Sequence, residues 1–141
     1  MRRSFAFLLI VLAFPTAALA AADVERLRVV AWASSASKSG IPPKKAVSGG
    51  TYCTSRAIRR LYAFVRFTGM RDGKKSSVTW FFNRKKVYLF AFTWEDGDVG
   101  RTAFNLFRTK GTLEEGTYAI EVRSAGRLLG KGSVKLRFGS C

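Results

Sequence analysis

The chain has 141 residues, with 25 Lys and Arg against 9 Asp and Glu for a formal net charge of +16, and 48% of it is apolar. High charge combined with that much apolar content excludes a disordered polyelectrolyte, and the length suits one domain with a substantial core. The absence of histidine excludes Ser-His-Asp and Cys-His nucleophilic machinery, an imidazole general base and any His-containing metal site, so the chain is expected to be non-enzymatic, with no cofactor and no metal centre.

The N-terminus reads Met1-Arg2-Arg3, then an apolar run from Phe5 to Phe14, then Pro15 and the small-residue tail Ala17-Ala18-Leu19-Ala20-Ala21-Ala22. A positive start, about 10 apolar residues and an Ala-x-Ala ending are the parts of a cleavable signal peptide. The alternative, a retained anchor, needs a run of roughly 20 residues, which this one does not reach. Residues 1–20 are therefore expected to be a signal peptide cleaved after Ala20, and 21–141 a single exported domain, periplasmic or extracellular. Arg2-Arg3-Ser4-Phe5 only partly matches a twin-arginine signal, so export of the unfolded chain is expected. Losing Arg2 and Arg3 with the leader leaves 23 basic against 9 acidic side chains, a net +14 that belongs to the domain itself.

Past residue 22 the chain reads as a succession of short strands. Arg26 to Ala33 is the first, followed by the Ser, Gly and Pro-rich stretch SSASKSGIPPKK, where Pro42-Pro43 forbids a helix or a central strand. An edge strand is expected around Ala46 to Tyr52, then a strand from Arg59 to Phe67 with Leu61, Ala63, Val65 and Phe67 on one face. Ser77 to Phe82 and Val87 to Trp94 follow, joined by the polar hairpin connection Asn83-Arg84-Lys85-Lys86. Arg101 to Arg108, Thr117 to Arg123 and Arg127 to Phe138 complete the set. The separators Glu95-Asp96-Gly97-Asp98, Glu114-Glu115-Gly116 and Ser124-Ala125-Gly126 have turn chemistry. Seven to eight short strands with regular turns and no helical periodicity predict an all-β, antiparallel sandwich.

Two patterns sharpen the reading: Val78 to Val87 (VTWFFNRKKV), with Trp80 at the centre of a strand, and Leu113 to Val122 (LEEGTYAIEV). The second resembles the tyrosine corner of immunoglobulin-like sandwiches, in which a Tyr entering a late strand bonds back to upstream backbone. Residues 24–138 thus resemble an immunoglobulin-like domain, and more particularly the small exported bacterial sandwich domains of unassigned function. The match rests on Trp80 and its hairpin, Gly116, Tyr118, Ile120, Val122 and the Gly126 to Leu129 hairpin. The resemblance implies a core built on Trp80, Tyr118, Val65 and Ile120. Antibody-type domains bridge their sheets with a disulfide where this chain offers Val65 or Ala63 and Ile120, so aliphatic packing is implied there. The fold supplies no activity by itself.

Cys53 and Cys141 are the two cysteines, and in an exported chain an even count favours a disulfide. The alternatives are two thiols or an intermolecular bond through Cys141. Glu95, Asp96 and Asp98 put three carboxylates on one loop, a composition that calcium favours, but without EF-hand spacing the simpler reading is a solvated turn. Glu114-Glu115 and Glu95-Asp96 sit in turns rather than across a cleft, which does not suit glycoside hydrolysis.

The strand VYLFAFTW is unusual. Its period-2 geometry puts Tyr88, Phe90, Phe92 and Trp94 on one face and Val87, Leu89, Ala91 and Thr93 on the other. The aromatic row is expected to face inward, as core or under the 34–58 loop. The functional alternative is an aromatic platform, with an open strand edge, for a protein partner. Basic residues cluster at Arg59 and Arg60, at Lys74 and Lys75, and at Arg84, Lys85 and Lys86. These are candidate anion-binding residues, since the summed charge attracts polyanions, although loop cations also serve solubility. Outside the cytoplasm the available polyanions are acidic envelope polymers and lipid headgroups. Export and the lack of any recognition motif speak against nucleic acid.

Overall fold

The computed structural model describes residues 24–141; the expected signal peptide, residues 1–20, lies outside the described residues. Eight strands follow in order: β1 (Arg26–Ala33), β2 (Thr51–Thr54), β3 (Arg60–Thr68), β4 (Lys75–Phe82), β5 (Lys85–Thr93), β6 (Gly100–Phe107), β7 (Gly116–Ser124) and β8 (Arg127–Phe138). They form two packed sheets, one of three strands in the order β1-β3-β6 and one of five in the order β2-β8-β7-β4-β5. All ladders are antiparallel except β2 with β8, which is parallel. The run β8-β7-β4-β5 against β1-β3-β6 is the strand arrangement of an immunoglobulin-like sandwich. Among the described residues no helix is long and apolar enough to cross a membrane.

The hydrophobic alternation of the strands dictates which faces meet. Leu61, Ala63, Val65 and Phe67 of β3 are buried, as are Val78 and Trp80 of β4, Tyr118, Ile120 and Val122 of β7, and Val134 and Leu136 of β8. Burying each larger side chain stabilises the fold by about 1.5–3 kcal/mol. Trp80 stands opposite Ile120 in the β4–β7 ladder and meets Trp32 of the facing sheet edge-on, with ring centroids 6.1 Å apart. The Tyr118 hydroxyl donates to the backbone carbonyl of Glu114 at 2.7 Å, closing the tyrosine corner ahead of β7. Burial raises the pKa of that phenol above its ordinary value, so it stays protonated and able to donate.

The strand expected over 46–52 is shorter and lies further along. Val47 makes a single antiparallel bridge to Trp32 on the edge of β1, the chain turns at Gly49-Gly50, and only Thr51–Thr54 form β2. Gly50, at φ 69°, redirects the chain from the three-stranded sheet to the five-stranded one. Parallel pairing was not expected, and it follows from that change of sheet: β2 enters beside β8 running in the same direction. Cys53 and Cys141 form a disulfide with Cα atoms 6.2 Å apart, tying β2 to the end of β8. The 34–50 segment lies against the three-stranded sheet, with Gly40 close to the backbone of Thr102. Phe64, on that sheet's outer face, is fully buried.

Candidate functional site

The two sheets are unequal, and the site follows from that. β1 packs on β8, so the three-stranded sheet covers the middle of its partner and ends at β6. β5 therefore overhangs. Its aromatic residues face the gap, because Tyr88, Phe90 and Phe92 stand opposite the inward residues Trp80, Val78 and Ser76 of β4. Phe92 is half-buried, 5.8 Å from Phe104 of β6 and stacked on Phe90 at 5.5 Å. Beyond it nothing closes over the row, and Tyr88 and Phe90 are each 49% exposed. Trp94 lies in the core at 0% exposure, edge-on to Phe67, and donates its indole N–H to the Gly97 carbonyl.

The aromatic row thus faces inward but is not core along its whole length. A contact surface can use Tyr88 and Phe90, and Phe92 in part, while Trp94 is enclosed. Of the 34–58 stretch, residues 34–50 lie over the other sheet and Thr51–Thr54 pair with β8 at the opposite edge from β5, so it does not cover the row.

The overhang creates two adjoining cavities that share Tyr88. One, of about 380 Å³, is lined by Phe82, Val87, Leu106, Phe107, Arg108 and Tyr118 among others; the second, of about 370 Å³, includes Val78, Trp80, Phe90, Phe92 and Phe104. They form an apolar groove between the edges of β5 and β6. At its first end the cations gather. Arg60 stacks on Phe107 with its guanidinium carbon 4.5 Å from the ring centroid, and Arg59 approaches the same ring at 5.8 Å. Arg108 donates to the Thr112 carbonyl at 3.0 Å and pairs loosely with Glu114 at 3.5 Å.

Arg84, Lys85 and Lys86 join this end, because their hairpin is flanked by Phe82 and Val87, which line the groove beside Phe107. None of the three has a side-chain hydrogen bond or ion pair among the described residues. The turn leaves β4 at Phe82 and enters β5 at Lys85, with both central residues, Asn83 (φ 47°) and Arg84 (φ 68°), left-handed as a two-residue type I′ turn requires. Arg84 occupies a position where Gly would be relaxed.

The candidate anion-binding residues therefore divide. Arg59, Arg60, Arg84, Lys85 and Lys86 share one end, while Lys74 and Lys75 lie at the other, where the Lys74 ammonium is bound to Glu25. Glu25 is enclosed, at 7% side-chain exposure, and also takes Arg127 at 3.4 Å. The Lys74 hydrogen bond, against an opposing desolvation effect, holds its carboxyl below the usual carboxylate value. Glu95, Asp96 and Asp98 occupy the β5–β6 loop, and among the described residues no group of three or more acidic or sulfur side chains could hold a metal ion.

Sequence reading did not single out Glu25, Phe104, Phe107 or Arg108. Phe107 and Arg108 end an ordinary-looking strand. Only the alternation Ala103, Asn105, Phe107 against Phe104, Leu106 hints that one aromatic points out.

No protein-family model and no curated protein matches the chain. Among solved structures it is similar to a CARDB domain from Pyrococcus furiosus in complex with di-metal ions, at 10% identity and TM-score 0.40, covering 82% of this chain and 94% of that one. It is also similar to part of a β-glucosidase from Kluyveromyces marxianus, at 10% identity and TM-score 0.41, covering 81% of this chain. A third likeness is to part of the Pseudomonas fluorescens alkylpurine DNA glycosylase AlkC bound to DNA containing an abasic site analogue, at 14% identity and TM-score 0.39, covering 60% of this chain. The chain spans 26% of the glycosylase and 14% of the glucosidase. Likeness this weak assigns no residue and no activity.

Proposed function

We propose that the chain is an exported, non-enzymatic binding module whose basic end holds an anionic component of the cell envelope, a polymer or a lipid headgroup. The observation that supports this reading is that Arg59, Arg60 and Arg108 gather at Phe107 and the Arg84-Lys85-Lys86 hairpin stands at the same end of the groove, with Glu114 the one carboxylate paired there among the described residues. Such a concentration of one sign of charge draws polyanions, and the attraction weakens as salt screens it. Arg84 adds to it, since a non-glycine residue held at positive φ costs about 1–2 kcal/mol and such strain is a pointer to function. The resemblance to small exported bacterial sandwich domains and the Cys53–Cys141 disulfide support the export reading.

The test is retention of the folded domain on isolated envelope at low salt. Release by moderate salt is expected, as is loss of retention in the variant Arg84→Gly, Lys85→Ser, Lys86→Ser. Parallel binding to anionic vesicles and to a soluble polyanion separates lipid from polymer. The single variant Arg84→Gly should bind more weakly yet melt at a higher temperature, because it relaxes the turn. Retention indifferent to both salt and the triple variant would sink the reading.

A second reading, an interaction subunit, is favoured by the exposure of Val87, Tyr88, Leu89 and Phe90 on an unpaired edge. Binding that survives high salt and disappears on Phe90→Ala would favour it. Trp94→Ala is no probe of it, since that side chain is core.

A further inference from the structure

Among the described residues there are four sheet edges, and three are blunted in different ways. β2 is four residues long and held by the disulfide; β1 is bridged by Val47; β6 carries Arg101 and Asn105 and has the 36–40 loop beside it. β5 is nine residues long, has no proline and no charge between Val87 and Thr93, and exposes apolar side chains on both faces, 47–51% for Val87 to Phe90. Its ladder with β4 slips once, at Val87, and from Tyr88 to Thr93 the pairing is regular; a long apolar edge of this kind templates the addition of a strand.

The charges at its two ends indicate which strand. Arg84-Lys85-Lys86 stand at the start of β5, and the exposed Glu95 and Asp96 stand just past its end. A strand laid antiparallel on β5 is complementary if it begins basic and ends acidic, and β5 itself, turned about a two-fold axis, has that pattern. We propose that β5 pairs antiparallel with β5 of a second copy, about a two-fold axis normal to the sheet at Phe90, joining the five-stranded sheets of two copies into one continuous sheet. The proposal rests on the reading of β5 as an interaction edge and names its occupant.

The pairing places the basic start of each strand beside the acidic end of the other, twice. It sets Tyr88, Phe90 and Phe92 of the two copies in one inward aromatic row, and cross-strand pairs of that kind contribute about 0.2–1 kcal/mol each. It also answers the repulsion between two strongly basic domains. At about 3.3 Å per residue the two basic ends stand roughly 25–35 Å apart, well beyond the screening length of about 8 Å at physiological salt, whereas a parallel pair would bring them together. The interface is isologous and closes on itself, so it stops at the dimer.

The experiment is sedimentation equilibrium of the disulfide-bonded domain at physiological ionic strength. A concentration-dependent dimer is expected, weakened at least tenfold by Leu89→Lys and by Phe90→Lys with melting temperatures unchanged, since both side chains are half exposed. Lys85→Glu with Lys86→Glu should also weaken it, and adding Glu95→Lys with Asp96→Lys should restore it. A wild-type chain that is monomeric at every concentration overturns the proposal, as does a dimer indifferent to Leu89→Lys and Phe90→Lys. A monomer that takes a strand of another protein on β5 also overturns self-pairing while leaving the interaction-edge reading intact, and neither result bears on salt-dependent envelope retention.

Discussion

Glu25 precedes the first strand, yet it holds three parts of the molecule. Through Lys74 it grips the start of β4, and through Arg127 the β7–β8 hairpin, so a single carboxylate fixes where β1 enters the sandwich. Its folded pKa is lowered, so it contributes stability at pH values above the unfolded carboxylate's range, near pH 4.3, and that contribution is lost as pH falls through the lowered folded value. Wild type should therefore lose stability on acidification into and below that range, while Glu25→Gln, less stable at neutral pH, should show a flatter profile. Thermal melts from pH 7 to pH 2.5 read the difference, and parallel profiles would show that Glu25 is not the group responsible. Nothing in local sequence marks this residue, because its partners lie 49 and 102 positions away.

At the scale of elements, β1 approaches β8 closely because β8 has no side chain where they meet. A Cβ at Gly130 would run into the Leu27 carbonyl, and one at Gly132 would come 2.8 Å from the Val29 Cβ. Gly130→Val should destabilise by at least about 1–3 kcal/mol, the usual cost of overpacking, because the obstacle is backbone that has to move. Urea unfolding checks it, and a midpoint within error of wild type would mean the sheets separate there without cost. The strands themselves were legible. Seven of the eight lie within about two residues of where alternation and turn chemistry place them, because period 2 and residues such as Ala125-Gly126 act locally. The tyrosine corner was legible for the same reason, Glu114 and Tyr118 being four residues apart. The extent of the β5 overhang was not. Whether Tyr88 and Phe90 end as core or surface depends on how far the opposite sheet extends, and that sheet ends at β6, one strand short of β5. Lys74 and Arg59 read alike in sequence, and only the fold sends them to opposite ends.

For the molecule as a whole, the disulfide closes a loop of 88 residues that contains β3 to β8. In the chain-entropy picture a loop of that length contributes about 4–5 kcal/mol. Reduction, or paired Cys53→Ser and Cys141→Ser, should lower the stability by that order in urea unfolding; a loss below about 1 kcal/mol would show that β2 docks on β8 without it. The contrast between such distant pairings and the tight β4–β5 turn also orders events in time. The β4–β5 hairpin can close as soon as those residues exist, whereas β1 must wait for β3 and β2 for β8. β5 is then the strand whose apolar edge stays exposed longest while the molecule assembles, and it starts with three cations. While the chain folds, Arg84, Lys85 and Lys86 thus sit where gatekeepers against premature aggregation are needed.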